Sequence, residues 1–264
     1  MDIIITIIFF SFGLIIGSFL NVIIYRYNTA RSLGGRSACM SCQNKLCWYE
    51  LIPLLSFVTL RGRCKTCKTK ISVQYPLVEL MAGLVSVSLF FKFQYMFFID
   101  TFVFTGTYAY YMFMFSLLLV IAVYDLKHKV IPDQLSLFFG ILAFLGLFVF
   151  TSYGFLPHTP SILELLSGIL IASPFALFWL ISKGAWMGLG DAKLALGLGW
   201  LLGLSRALSG LVVAFWSGAI IGFILIVVSR KYGMKSEIPF APFLVLGAFL
   251  AFILELHFFP FFSS

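Results

Sequence analysis

Charged side chains are scarce in this sequence. Only 11% of its 264 residues are Asp, Glu, Lys or Arg, and just ten residues are acidic. Soluble globular domains carry about 25% charged residues, so the shortage excludes that class of protein. Apolar residues take their place, because 61% of the chain is hydrophobic and the mean hydropathy is +1.06. This composition predicts a membrane protein.

A basic segment ahead of the first apolar run is also missing. Such a segment is typical of a cleavable secretory signal. Here Asp2 precedes an apolar run of about twenty residues, and the first basic residue is Arg26. This order predicts a retained first transmembrane helix with its N-terminus outside.

Long apolar runs recur along the rest of the chain. A helix needs roughly twenty residues to cross about 30 Å of hydrocarbon. By this measure the sequence predicts an all-α polytopic membrane protein with about eight transmembrane helices. The predicted spans are residues 3–25, 75–98, 101–124, 133–152, 161–182, 192–205, 207–229 and 239–258. The span at 192–205 is short and contains three glycines, which leaves a re-entrant segment as its alternative.

The net charge of +8 raises the question of nucleic acid as a partner, but the distribution of the charge gives another explanation. With eight crossings, sixteen of the eighteen Lys and Arg residues lie on the inner side, and only Lys92 and Arg206 lie outside. Membrane proteins follow this positive-inside distribution. Deleting the short crossing would place Arg230, Lys231 and Lys235 outside. The pattern therefore favours eight crossings, places both termini outside and predicts no nucleic-acid partner.

One sizeable polar segment, residues 26–74, interrupts the apolar pattern. A module this small usually depends on a metal or on disulfides. Two Cys-x-x-Cys pairs supply four thiolates for a tetrahedral structural zinc ion. The proposed ligands are Cys39, Cys42, Cys64 and Cys67. A disulfide framework is the alternative, disfavoured because the predicted topology puts the segment in the reducing cytoplasm. The remaining Cys47 is interpreted as a small apolar packing residue.

The predicted organisation has three parts. Residues 1–25 form the first transmembrane helix, residues 26–74 a cytoplasmic tetracysteine domain, and residues 75–264 a seven-helix membrane domain. Lys65, Lys68 and Lys70 precede the second span. They are interpreted as basic residues that keep this end of the second span on the inner side of the membrane. The alternative, more specific interpretation is contact with anionic membrane lipid.

Three of the aspartates at the borders of predicted spans are candidate functional residues, because ionisable residues near the membrane often have a function. Asp191 follows Gly188-Leu189-Gly190, and its two interpretations are a functional carboxylate and a helix N-cap. Asp133 follows a proline and opens a helix, so it is interpreted mainly as an N-cap. Asp125 ends a helix, where the helix dipole disfavours a carboxylate, and this unfavourable position suggests a function.

The predicted topology brings Asp125 and Asp191 to the inner membrane surface. Two charges about 4 Å apart repel by roughly 4 kcal/mol at an effective dielectric near 20, so such a pair shares one proton. The ionised carboxylate can then take a proton from water while the protonated one polarises a scissile carbonyl. The pair is thus a candidate proteolytic dyad.

Several motifs, in order along nearly the whole chain, resemble those of the bacterial type IV prepilin peptidases, which are membrane aspartic proteases of the GxGD type. Two are GSFLNV at 17–22 with Arg26, and Asp125 with IPD at 131–133. The others are RS at 36–37, WYELIP at 48–53, YPLVE at 75–79, GLGD at 188–191 and IPFAPF at 238–243. Several independent motifs in one order are far more specific than any single motif.

The resemblance implies an eight-helix aspartic endopeptidase of the bacterial inner membrane. Its members remove the basic leader of type IV prepilins or pseudopilins on the cytoplasmic face, and their catalytic aspartates fall on Asp125 and Asp191. The supporting active-site loop would include Gly188, Gly190, Lys193 and Asp133. Many members also methylate the new N-terminus with S-adenosylmethionine, and those members carry the tetracysteine domain.

The sequence departs from the family pattern at a few positions. Met40 replaces a usual proline, Glu50 a usual aspartate, and Ala241 a frequent glycine. No glycine-rich strand-turn-helix for S-adenosylmethionine is present, so the methyl-donor site is unassigned, with Glu50 and Glu79 as candidates. The main rival function is a secondary transporter whose aspartates relay protons, although internal repeats typical of transporters are missing. A non-enzymatic assembly protein is the third possibility.

Overall fold

The computed structural model is mainly helical over the residues it describes. These are residues 2–29, 34–151, 154–184, 187–228 and 238–258. They form the helices α1 (Asp2–Arg26), α2 (Leu55–Thr59), α3 (Gln74–Ile99), α4 (Thr101–His128), α5 (Asp133–Gly146), α6 (Ile162–Ser182), α7 (Leu189–Leu202), α8 (Leu204–Val228) and α9 (Ala241–Ile253). The short strands β1 (Phe150–Thr151) and β2 (Gly154–Phe155) pair antiparallel.

Each of the eight predicted spans contains a helix, and the protein is a membrane protein. Among the described residues, α1, α3, α4, α6 and α8 are long and apolar enough to cross a bilayer. Helices α5, α7 and α9 have 14, 14 and 13 residues and measure about 20 Å at 1.5 Å per residue. The count of eight crossings therefore stays a prediction. The inner-side positions predicted for Arg31, Arg230, Lys231 and Lys235 fall outside the described residues.

Two helix boundaries differ from the predicted ones for clear reasons. Helix α5 ends at Gly146 rather than near residue 152, because the chain turns into the β1–β2 hairpin. Helix α4 continues to His128, one turn beyond the predicted end, and Lys129 closes it in a left-handed conformation with φ of 54°. Asp125 consequently lies within the last turn of α4.

The chain divides into two compact units, and the first is Met1–Gln94. Its helices α1 and α3 approach closely at Gly17, where a Cβ atom would lie 2.7 Å from the Cα of Glu79. The Asn21 side chain donates a hydrogen bond to the Tyr75 carbonyl at 3.0 Å. The rings of Tyr25 and Tyr75 stack with centroids 4.8 Å apart. The polar insertion thus leaves and rejoins a closely packed helix pair.

The second unit, Tyr95–Ser264, contains the other long helices. Helix α4 is the most buried of the long helices in this unit, because 67% of the residues in its 18-residue apolar stretch lie inside the protein. Helix α7 packs against α5 and α6, and a Cβ atom on Gly199 would lie 2.7 Å from the Cα of Gly168. The glycines of α7 therefore permit close helix packing in a continuous helix. Gly203, with φ of 76°, ends it.

Candidate active site and cysteine cluster

Asp125 is a buried carboxylate in the last turn of α4, with only 4% of its surface exposed. Its Oδ2 atom accepts a hydrogen bond from the backbone N–H of Ala241 at 3.2 Å. Ala241 is the first residue of α9, and Phe240 caps that helix. Helix N-termini present unpaired N–H groups and a positive dipole end, so α9 stabilises negative charge on Asp125.

Asp191 lies in the first turn of α7, and Gly188 occupies the N-cap position. The N-cap interpretation of Asp191 is therefore wrong, because its own N–H donates to the Gly188 carbonyl at 3.3 Å. Its Oδ1 atom is shielded from solvent and has no hydrogen-bond partner in the part of the chain that the structure describes. A buried acceptor without a partner is costly unless the carboxyl is protonated or meets a bound group.

The fold brings Asp125 and Asp191 together from two helices of the second unit. Their carboxyl groups are close enough for the charge on Asp125 to act on Asp191. The two differ in their surroundings, since the N-terminal amide of α9 reaches Asp125 while Asp191 Oδ1 lacks such a donor among the described residues. The arrangement suits one ionised and one protonated carboxyl group.

The two glycines before Asp191 have different neighbours. A Cβ atom on Gly188 would lie 3.9 Å from Asp191 Oδ2, an ordinary contact distance. A Cβ atom on Gly190 would lie 2.9 Å from the Cβ of Ile131, in the short connection between α4 and α5. Gly190 thus permits close approach of α7 to that connection. Ile131 lies six residues after Asp125 in the sequence.

Asp133 does not cap α5, contrary to the prediction. Pro132 occupies the N-cap position, and Asp133 is the first helical residue. Its carboxylate instead forms an ion pair with Lys193 Nζ at 2.7 Å, linking α5 to α7. Both side chains are substantially exposed, Lys193 by 41% and Asp133 by 71%. Two residues of the predicted active-site loop therefore contact each other.

The sequence did not reveal the donor to Asp125. In the sequence, the motif at 238–243 is notable only for its resemblance to a family pattern, whereas the structure gives Ala241 a specific contact. Pro239 and Pro242 were the available signal, because prolines cluster at the first turn of a helix, where N–H groups lack partners. Nothing in the sequence indicated which carboxylate this helix end would meet.

The four predicted cysteine ligands form one cluster in the first unit. The sulfur atoms of Cys39, Cys42, Cys64 and Cys67 all lie within 4.8 Å of one another. The Sγ atoms of Cys39 and Cys67 are 3.7 Å apart. Zn–S bonds of about 2.3 Å place the sulfurs of a tetrahedral site about 3.8 Å apart, so these residues could hold a metal ion.

The two cysteine pairs form equivalent turns. The N–H groups of Cys39 and Cys64 donate to the carbonyls of Asn44 and Thr69, each at 2.9 Å. The residue after each second cysteine is left-handed, with φ near 57° and 59°. Hydrogen bonds with the Thr69 hydroxyl, 3.3 Å from Sγ, and with its amide lower the pKa of the Cys67 thiol to about 6. This turn therefore favours the thiolate at Cys67, whereas burial and hydrogen bonds with the other cluster cysteines raise the pKa of the Cys42 thiol to about 11. The thiolate is the form that binds a metal.

The other candidate residues of the first unit, Cys47, Glu50 and Glu79, take part in hydrogen bonds with nearby groups. Cys47 is exposed and lies outside the cluster, so its interpretation as a packing residue is wrong. Its N–H donates to the carboxylate of Glu50 at 2.7 Å. Glu79 is buried in α3 and accepts a hydrogen bond from the Leu54 amide at 2.9 Å. Glu50 and Glu79 both line a cavity of about 660 Å³.

Comparisons with known proteins agree with this architecture. A family model described as Bacterial Peptidase A24 N-terminal domain matches residues 11–93, and one described as Type IV leader peptidase family matches residues 112–227. The chain is similar to proteins named prepilin leader peptidase/N-methyltransferase. The one from Aeromonas salmonicida (strain A449) is 31% identical over 271 residues, covering 92% of this chain and 88% of the relative.

A second such protein, from Myxococcus xanthus (strain DK1622), is 33% identical over 230 residues, covering 86% of this chain and 65% of the relative. The one from Legionella pneumophila is 29% identical, with coverages of 91% and 88%. No solved structure gives a significant match. The two family matches and the identity to relatives over most of the sequence show that this chain belongs to the type IV leader peptidase family.

Proposed function

We propose that the chain is an aspartic endopeptidase that removes the leader peptides of type IV prepilins or pseudopilins. The observation that carries the proposal is the proximity of Asp125 on α4 to Asp191 on α7, close enough for electrostatic interaction, with the first amide of α9 bonded to Asp125. Relatives over most of the chain bear the name prepilin leader peptidase. Membership of the type IV leader peptidase family gives no support to the alternative function, a secondary transporter.

The unequal surroundings of the dyad assign its roles. Asp125 faces the N-terminus of α9 and holds the negative charge, so it takes a proton from the attacking water. Asp191 holds the shared proton, donates it in a hydrogen bond to the oxygen of the scissile carbonyl, and transfers it as this oxygen becomes a hydroxyl group of the tetrahedral intermediate. The carbonyl carbon becomes more electrophilic, and the water oxygen attacks it.

Collapse of the tetrahedral intermediate completes the reaction. The proton that Asp125 accepted passes to the nitrogen of the leaving amine, the C–N bond breaks, and the new pilin N-terminus departs as an amine. Asp191 regains its proton from the intermediate's hydroxyl group as the leader's carboxyl group forms. The pair returns to one ionised and one protonated carboxyl, ready for another water.

We propose eight crossings of the bacterial inner membrane, with the insertion and the dyad at the cytoplasmic side. The sixteen-to-two distribution of basic residues supports this orientation. The boundaries 1–25, 26–74 and 75–264 stay a prediction. Membrane-impermeant thiol labelling of intact cells tests the orientation: native Cys47 should stay protected, whereas a cysteine placed by Thr159→Cys should react. Labelling of Cys47 in intact cells would contradict the orientation.

We propose that zinc is the metal of the cysteine cluster. Four cysteine thiolates suit zinc, and the 3.7 Å separation of two sulfurs agrees with a tetrahedral site. Zinc bound by Cys39, Cys42, Cys64 and Cys67 would supply folding free energy to the insertion and no catalytic step.

We also propose N-methylation of the newly formed N-terminus with S-adenosylmethionine. The support is the name N-methyltransferase carried by the relatives and the presence of the cysteine-containing first unit. The methyl donor supplies an activated methyl group on a sulfonium centre. The insertion and the helix pair that carries it would bind and orient this donor.

The test is co-expression of the chain with a prepilin-like precursor, followed by mass spectrometry of the product's N-terminus. The expected product has lost its leader and gained 14 Da, about the mass of one methylene group. A precursor left intact would contradict the peptidase. A cleaved but unmethylated product would contradict methyl transfer alone, so the two activities are tested separately.

A further inference from the structure

Helix α2 and the segment just before it expose large apolar side chains. Trp48, Leu55 and Val58 are 76%, 62% and 70% exposed. Another side of α2 packs against its own module, because a Cβ atom on Gly62 would lie 3.0 Å from the ring of Phe57. Isolated apolar residues on a surface are ordinary, whereas a group of them marks a contact surface. The apolar side chains of this small polar insertion therefore need a partner.

A contact between Leu54 and Glu79 places α2 at the depth where α3 enters the membrane. Leu54 directly precedes α2, and its N–H donates to the Glu79 carboxylate at 2.9 Å. Glu79 lies about 8 Å along α3 from its first residue, because a helix rises 1.5 Å per residue. Leu77 and Leu80 on the same part of α3 are exposed, as expected where a span already meets lipid. Helix α2 therefore lies beside the membrane boundary.

Basic side chains surround an open depression of about 570 Å³ that follows α2. They are Arg61, Arg63, Lys65 and Lys68. Among the residues that the structure describes, no carboxylate forms an ion pair with Arg61, Arg63 or Lys68. A zinc ion with four thiolates would carry a charge of about −2. Residues 51–78 contain five basic residues and no acidic one, so positive charge remains in excess even with the metal bound.

Two contacts join the apolar and the basic side chains. Lys65 Nζ donates to the Tyr49 hydroxyl at 2.8 Å and lies 5.0 Å from the centre of that ring. The Tyr49 ring in turn meets Trp48 edge-on, with centroids 5.8 Å apart. At the end of α2, the Arg61 N–H donates to the Val58 carbonyl at 3.0 Å. We call the three exposed apolar and the four basic side chains together the interfacial patch.

We propose that the interfacial patch binds anionic phospholipid headgroups of the leaflet that the insertion faces. Its tryptophan and aliphatic side chains enter the headgroup boundary, where such residues lose contact with water. Its basic residues bind the lipid phosphates, and each Lys or Arg near an anionic surface strengthens binding by about fivefold. The depth of α2 favours lipid over a soluble partner, because α1 and α3 hold the insertion at the membrane from both ends.

Fluorescence quenching by brominated lipid tests the apolar part of the patch. The full-length protein is placed in nanodiscs that mix phosphatidylcholine with phosphatidylglycerol, and only one of the two lipids carries bromine. The Trp48 signal is the difference between the wild type and Trp48→Phe. Brominated phosphatidylglycerol should quench this signal several-fold more strongly than brominated phosphatidylcholine. A Trp48 signal that neither lipid quenches would overturn the proposal.

Charge variants test the basic part of the patch. Arg61→Gln combined with Arg63→Gln should remove most of the preference for phosphatidylglycerol, by about fivefold for each lost charge. Lys45→Gln is the matched control and should keep the preference, because Lys45 is an exposed basic residue of the same insertion outside the depression. Metal content and thermal melting confirm that each variant is folded. Equal losses in the two proteins would overturn the assignment to the patch.

Hydrogen exchange of the wild-type protein distinguishes lipid from other occupants. Amides of residues 55–63 should exchange several-fold more slowly in nanodiscs that contain phosphatidylglycerol than in phosphatidylcholine alone. Equal exchange in the two lipids would overturn the proposal. Slowing that requires two copies of the chain in one disc would overturn it in favour of a second copy as the partner. Slowing by inorganic phosphate in phosphatidylcholine discs would overturn it in favour of a site for free anions.

Discussion

In the first unit, the four cysteine sulfurs come from two similar turns, and each turn carries its own backbone hydrogen bonds. In the second unit, Asp125 meets an amide that lies 116 residues away in sequence and a carboxyl group from a third helix. The cluster is therefore built from local geometry that is used twice. The dyad depends on how three helices pack.

This difference shows how each site is held together. The cysteine turns are short, and their four sulfur atoms lie within 4.8 Å of one another, so a bound metal would hold them in place. In the second unit, buried helix packing around α4 and α7 positions both carboxyl groups of the dyad. We expect damage to the cluster to remain in the first unit and damage to the dyad to stop proteolysis.

The largest effect should come from the dyad itself. Asp125→Asn and Asp191→Asn should each lower kcat/KM for leader cleavage by more than about 1,000-fold, because neither role can be filled by the remaining carboxyl group. The assay is cleavage of a precursor by purified protein in detergent. Metal content should not change in either variant. Full activity in one of them would show that the dyad is wrongly assigned.

The next effect separates the two regions. Cys64→Ser removes the most buried ligand of the cluster and should abolish stoichiometric zinc binding, measured by elemental mass spectrometry. Local unfolding of the insertion should abolish methylation, while leader cleavage should be reduced by less than tenfold. Cys47→Ser is the matched control, since Cys47 lies outside the cluster. Equal loss of zinc in the control would refute the ligand assignment.

A smaller effect is expected where α7 meets the connection after α4. Gly190→Ala places a Cβ atom 2.9 Å from Ile131 and should lower cleavage by about tenfold, since overpacking costs about 1–3 kcal/mol. Gly188→Ala, whose Cβ atom meets only ordinary contacts, should lose less than threefold. The comparison uses kcat/KM and the thermal midpoint of both variants. Identical behaviour of the two would mean that the Ile131 contact does not position Asp191.

The smallest effect concerns the ion pair between α5 and α7. Because both side chains are exposed, Asp133→Asn and Lys193→Met should each destabilise the protein by only about 0.2–1 kcal/mol. Cleavage should fall by less than about fivefold, and high salt should have a similar effect on the wild type. A double-mutant cycle measures the coupling. Losses as large as those of the dyad variants would place Asp133 or Lys193 in the chemistry.

Much of the fold was readable from the sequence for physical reasons. Apolar runs must form helices in a bilayer, so the eight predicted spans were found as helices. Two Cys-x-x-Cys pairs predicted a single cluster, because each pair is a local turn with few conformations. The choice of Asp125 and Asp191 came from their positions at span borders and from resemblance to a family.

Tertiary structure alone decided the finer arrangement. Asp133 pairs with Lys193 instead of capping its helix, because Pro132 already holds the cap position and α7 brings a cation within 2.7 Å. The amide of Ala241 reaches Asp125 only because α9 packs against α4. Helix formation follows from local composition and the surrounding lipid. The meeting of helix ends distant in sequence depends on side-chain packing that no local pattern specifies.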